Sequence, residues 1–100
     1  MHARTKAVAI TPKVREAVEE RDGHKCIFCG SYEARGEAHY INRSQGGLGV
    51  ESNILTVCRK CHGEMDNGMN TKLYREIARE YLKSHYPDWD ESKLVYDKWR

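Results

Sequence analysis

Four side chains able to do polar chemistry stand in one order, His39, Asn53, His62 and Asp66. Two Cys-x-x-Cys pairs frame them, Cys26 with Cys29 upstream and Cys58 with Cys61 just before His62. Imidazole titrates near neutrality and serves as general base or as metal ligand. A carboxylate adds an oxygen donor to a hard divalent ion. An amide both donates and accepts, so it can hold a loop in one conformation. Four thiolates close a tetrahedral zinc site with no open position, which makes that ion a folding element. The chain thus offers imidazole, amide and carboxylate groups beside a four-thiol set that suits a structural zinc ion.

The intervening sequence must position these groups. Residues 38–41 are short, apolar and aromatic, as a strand requires, and residues 54–57 form a second strand rich in branched side chains. Residues 42–52 form a polar loop holding Gly46, Gly47 and Gly49. A helix beginning around residues 58–61 runs to Asp66, and Asn67-Gly68 stops it. On that helix His62 and Asp66 lie four residues apart and share a face, placed to share one ion. Cys61 projects about 100° around the axis from His62, so the helix faces the zinc cage on one side and a second ion on another. Gly30 supplies the positive φ that a Cys-x-x-Cys knuckle wants.

Upstream, Thr11-Pro12 starts a helix with Val14, Ala17 and Val18 at helical spacing, and Asp22-Gly23 ends it. Residues 1–10 read as a basic arm: residues 1–15 contain Arg4, Lys6, Lys13 and Arg15 with no acidic residue. Downstream, residues 71–86 form a long helix with Leu73, Ile77 and Tyr81 as one stripe and Tyr74, Ala78 and Leu82 beside it, ended by Pro87. Residues 92–99 suit a last short helix that places Leu94, Val95 and Trp99 on the body. The aromatics of this tail suit packing, with base stacking by Trp89 or Trp99 as the alternative.

The 100 residues, at a formal net charge of +2, suit one domain with a modest core that gains from a metal staple. No apolar run spans a bilayer and no apolar leader opens the chain, so a cytoplasmic location and no membrane partner are expected. Thiols stay reduced there, which favours zinc over disulfides.

Residues 25–67 resemble the HNH endonuclease family in its four-cysteine zinc branch. The likeness lies in His39, Gly46-Gly47, Asn53 and Cys58-Arg59-Lys60-Cys61-His62, in matching order and spacing. The run GGLGVESNILTVCRKCH with Asp66 after it is similar to small phage-encoded HNH proteins, which often sit near packaging genes. The resemblance implies an α+β fold with a ββα-metal (His-Me finger) core over residues 37–67, within a single domain. Residues 11–36 would be the N-terminal helix and knuckle, and residues 70–100 the C-terminal helices. It implies a metal-dependent DNA endonuclease or nickase, acting on double-stranded DNA with weak sequence preference, with packaging proteins as further partners.

In that reading His39 is the base and Asn53 holds loop and base in place. His62 and Asp66 hold one catalytic divalent ion, Mg²⁺ or Mn²⁺, with Zn²⁺ or Ni²⁺ as other options. Cys26, Cys29, Cys58 and Cys61 hold structural Zn²⁺, and Arg43, Arg59 and Lys60 contact phosphates. Many members carry Asp or His directly before the base, where this chain has Ala38. Asp66, Asn53, Glu37 or water would then complete the ion's shell; in a regular strand Glu37 shares a face with His39. In a second alignment His39 becomes the metal ligand and Tyr40 faces the scissile phosphate. The rival reading is a catalytically inactive zinc module that binds DNA or protein.

Overall fold

The computed structural model describes residues 3–97. Its elements run α1 (Ala3–Val8), α2 (Pro12–Arg21), β1 (Ala34–His39), β2 (Ile54–Cys58), α3 (Arg59–Asn67) and α4 (Thr71–His85). Single 3-10 turns occupy Arg43–Gln45, Glu51–Asn53 and Glu91–Leu94. The result is a small α+β fold around one antiparallel strand pair.

β2 is buried along its whole length, as its unbroken run of Ile54, Leu55, Thr56 and Val57 requires. Leu55 and Val57 join Ala38, Met65, Ala78, Leu82 and Cys26 in one core under α3 and α4. α2 lies against Gly36 and Thr56: the Gly36 N–H donates to Glu19 at 2.9 Å, and the Thr56 hydroxyl to the Val18 carbonyl at 3.5 Å. A Cβ on Gly36 would meet the Arg15 carbonyl oxygen at 3.0 Å, so any side chain here would press helix and strand a few tenths of an ångström apart.

Thr11 caps α2 by accepting from the Val14 N–H at 3.2 Å, with Pro12 in the first turn, as the sequence predicts. Its far end holds more than a stop signal. The Asp22 carboxylate is fully buried and accepts from the Thr56 N–H at 2.9 Å, the Tyr81 hydroxyl at 2.6 Å and the Arg21 guanidinium. Arg21 donates onward to the Glu51 and Ile54 carbonyls and to the Tyr86 hydroxyl. Burial pushes the Asp22 carboxyl up, but the guanidinium and phenol outweigh it and hold it below the usual value. This network joins α2, β2 and α4 and carries no signature in the sequence.

Four sequence expectations need correction. Residues 3–8 are helical and docked, with Val8 buried, so the segment is not a loose arm. The first strand is Ala34–His39, and Tyr40 and Ile41 lie beyond it. On α4 the inward stripe is Tyr74, Ala78 and Leu82; Leu73 and Ile77 are 58% and 44% exposed. Phe28 packs on the Tyr74 ring at 4.8 Å and turns that side of the helix inward. The expected last helix is one 3-10 turn, after which Val95 bridges to Gly47; Trp99 lies outside the described residues. Trp89 is a packing residue: it meets Tyr40 edge-on at 5.7 Å and donates to the Ser52 carbonyl at 2.8 Å. Among the described residues, no helix is long and apolar enough to cross a membrane.

Candidate functional site

The four thiols converge. All Sγ atoms of Cys26, Cys29, Cys58 and Cys61 lie within 4.8 Å of one another, and those of Cys29 and Cys58 are 3.6 Å apart. A disulfide needs about 2.05 Å, whereas a tetrahedral site with Zn–S of ~2.3 Å spaces its sulfurs about 3.8 Å apart. The donor set fits a zinc ion. Two knuckles build it. Gly30, at φ 78°, returns its N–H to the Cys26 carbonyl at 2.9 Å. Cys58 caps α3 and accepts the Cys61 N–H at 3.4 Å. Burial pushes the Cys26 thiol up, but the backbone amides around it outweigh burial and bring it to about 7. Burial and the neighbouring sulfurs push Cys61 up, since four thiolates without a cation repel one another.

His39 ends β1 and is 7% exposed. Its Nε2 meets the Val8 carbonyl oxygen at 2.9 Å. A carbonyl only accepts, so Nε2 carries the proton and Nδ1 keeps its lone pair. Burial lowers the pKa of the ring, the Val8 carbonyl raises it and the positive charge of Arg43 lowers it again; the net shift is downward. The ring is a neutral base with one nitrogen already committed.

The loop after His39 is clasped from several sides. Asn53, fully buried, accepts the Ile41 N–H at 2.9 Å through Oδ1 and donates through Nδ2 to the carbonyls of Ile41 at 3.2 Å and Leu48 at 2.9 Å. That is the loop-holding role expected of it, and it leaves Asn53 no exposed atom to offer an ion. α1 grips the same loop: Arg4 donates to the carbonyls of Arg43 and Ser44, and the Gly49 N–H donates to Ala7 at 3.0 Å. A Cβ on Gly49 would collide with the Ala9 and Val8 carbonyls. The C-terminal segment adds a third grip, with the Leu48 N–H on Leu94 and the Tyr96 N–H on Gly46, each at 2.8 Å.

His62 and Asp66 do come together, with Nε2 and Oδ2 3.3 Å apart on the exposed side of α3. The other Asp66 oxygen pairs with Arg75 at 3.1 Å. Arg75 also donates to the Tyr40 carbonyl and to Asn42. Among the described residues, no third His, Cys, Asp or Glu donor joins this pair closely enough to make a three-donor cluster. Ala38 is buried in the core and offers no donor.

Glu37 stands between the two histidines. The strand register slips between Gly36 and Ala38, leaving Glu37 on a bulge, so the regular strand expected here is broken. Glu37 lines a groove of about 360 Å³ with His39, Arg15 and Arg43, and another of about 730 Å³ with His62, Arg35, Arg59 and Tyr32. Its carboxylate pairs with Arg15 at 3.1 Å. Of the three expected phosphate contacts, Arg43 lines the groove of His39 and Arg59 that of His62, whereas Lys60 lines neither. Tyr40 donates its hydroxyl to Glu91 at 2.7 Å, toward the C-terminal segment, and lines neither groove.

The sequence reading missed Val8 and Arg75. Neither had a signal, since one acts through its backbone and the other is one arginine among many. Arg35 had a faint one, a cation two residues before Glu37 in a strand. No family model, no curated protein and no solved structure matches the chain.

Proposed function

We propose that the protein is a metal-dependent DNA endonuclease or nickase of the HNH type, its strand pair and α3 forming a ββα-metal core stapled by zinc. The observation that carries the reading is the His39 ring: buried, neutral, with Nε2–H fixed on Val8, and lining a groove with Glu37, which also lines the separate groove of His62. Nδ1 takes a proton from the attacking water. Arg43 neutralises a phosphate next to His39 and adds to the burial that lowers the pKa of the ring. Asn53 keeps the loop that carries Arg43 in register with His39. His62 and Asp66, 3.3 Å apart, suit adjacent positions on one divalent cation whose shell substrate and water would complete. Bound there, such a cation supplies charge stabilisation to the phosphoryl group and the departing 3′ oxygen.

The test is nicking of supercoiled plasmid by the zinc-loaded protein with Mg²⁺, Mn²⁺, Ni²⁺ or Zn²⁺ added. Wild type nicks with at least one of them, and His39→Ala loses at least about 100-fold. Equal rates for the two proteins refute the base assignment. The Arg75–Asp66 pair favours the second reading, a zinc module that binds DNA without cutting it. That reading gains the case if no added metal supports nicking by wild type while DNA binding persists.

A further inference from the structure

The larger groove holds more than one phosphate contact needs. Tyr32, Arg35, Arg59 and His62 line it together with Glu33 and Glu37. Tyr32 is 78% exposed, an aromatic ring on the surface with no ring partner among the described residues. Among the described residues, no hydrogen bond or ion pair engages the side chains of Arg35 or Arg59. Arg59 opens α3, where the helix dipole disfavours a cation, so an anion brought to it is doubly welcome. Glu37 is neutralised by Arg15, which leaves Glu33 as the one uncompensated carboxylate against two guanidiniums.

Cations beside an exposed aromatic ring are the signature of a path for unpaired nucleotides, since every base offers a face to stack. A duplex keeps its bases stacked inward and cannot use Tyr32. We infer that this groove binds a single-stranded extension of DNA: Arg35 and Arg59 hold successive phosphates on the His62 side of the reacting centre, and Tyr32 stacks a base. The substrate class is then DNA with an unpaired strand next to the cut, such as a flap or overhang. The inference rests on the nuclease reading for the nature of its ligand.

Fluorescence anisotropy on the full zinc-loaded chain tests it, with Ca²⁺ in place of a cleavage-supporting ion. The probes are a labelled single-stranded oligodeoxynucleotide, a blunt duplex, and the same duplex with an overhang. The overhang and single strand bind at least about tenfold more tightly than the blunt duplex. Tyr32→Ala removes about tenfold of that preference without weakening the blunt duplex, and Tyr32→Phe restores it. Arg35→Ala weakens single-strand binding and lowers its salt slope by about one. Equal affinity of wild type and Tyr32→Ala for the overhang overturns the proposal, as does equal loss on all probes. Plasmid nicking is read separately: its presence without overhang preference sinks this inference alone, and its absence with intact preference sinks the nuclease reading alone.

Discussion

His39 keeps its proton on Nε2 because Val8 presents only an acceptor to it, and its buried, cation-flanked position lowers its pKa. The direction fixes two outcomes. The nicking rate rises with pH and is half-maximal below about 6.5, the ordinary histidine value. As pH falls through about 6.5 the unfolded ring takes up a proton that the folded ring refuses, so His39 subtracts stability until the folded ring is protonated too. Urea midpoints measured against pH show this acid-side loss in wild type and a smaller one in His39→Gln. Asn53 works by satisfaction rather than charge. Its three bonds reach the backbone of Ile41 and Leu48 from a fully buried amide, so Asn53→Ala strands three polar groups and costs about 3 kcal/mol in urea unfolding.

At the scale of elements, α1 is the piece that holds the His39 ring and, in the proposed reading, positions it as the base. It reaches His39, the Arg43–Ser44 carbonyls and Gly49, yet it contributes little to the core beyond Val8. Removal of residues 1–10 therefore leaves zinc content and helical circular dichroism near wild type while nicking falls about 100-fold. Gly49→Ala has the same effect in the full chain, since the added Cβ displaces residues 8 and 9 from the loop. Retained nicking by both would show that Val8 is incidental to the base. The Arg21–Asp22 network acts on another axis, locking α2 to β2 and α4 without touching the histidines.

For the molecule as a whole, the four-cysteine cluster, which could hold a zinc ion, joins the knuckle before β1 to the start of α3, the helix that carries His62. A core this small, in a chain of high charge, depends on such a staple. Removal of zinc with a strong chelator abolishes the cooperative thermal transition, and adding zinc back restores it. The ligands bind as thiolates, and crowding raises Cys61 while Cys26 lies at about 7, so protons compete with the ion. Zinc affinity falls between about pH 8 and about pH 6, with proton release on binding, measurable against a chromogenic chelator.

The convergence of the four cysteines, the existence of two strands and the bounds of the second, α2 from its Thr11-Pro12 start, the span of α3 and the His62–Asp66 face could be read from the sequence, but not the bounds of the first strand. Each depends on spacing within about one helical turn or one knuckle, and local geometry is what a sequence pattern encodes. The loop-holding role of Asn53 came from the resemblance to the HNH pattern, and its burial only from the fold. The fate of the termini was not legible, because a backbone carbonyl such as that of Val8 has no side-chain signature. The bulge at Glu37, the pairing of Arg75 with Asp66 and the buried Arg21–Asp22 network likewise depend on contacts between segments distant in sequence. The residue types alone determined which chemistry the chain can attempt. Only the tertiary packing decided which nitrogen of His39 is free, which arginines remain unpaired, and which face of the strand pair opens to a groove.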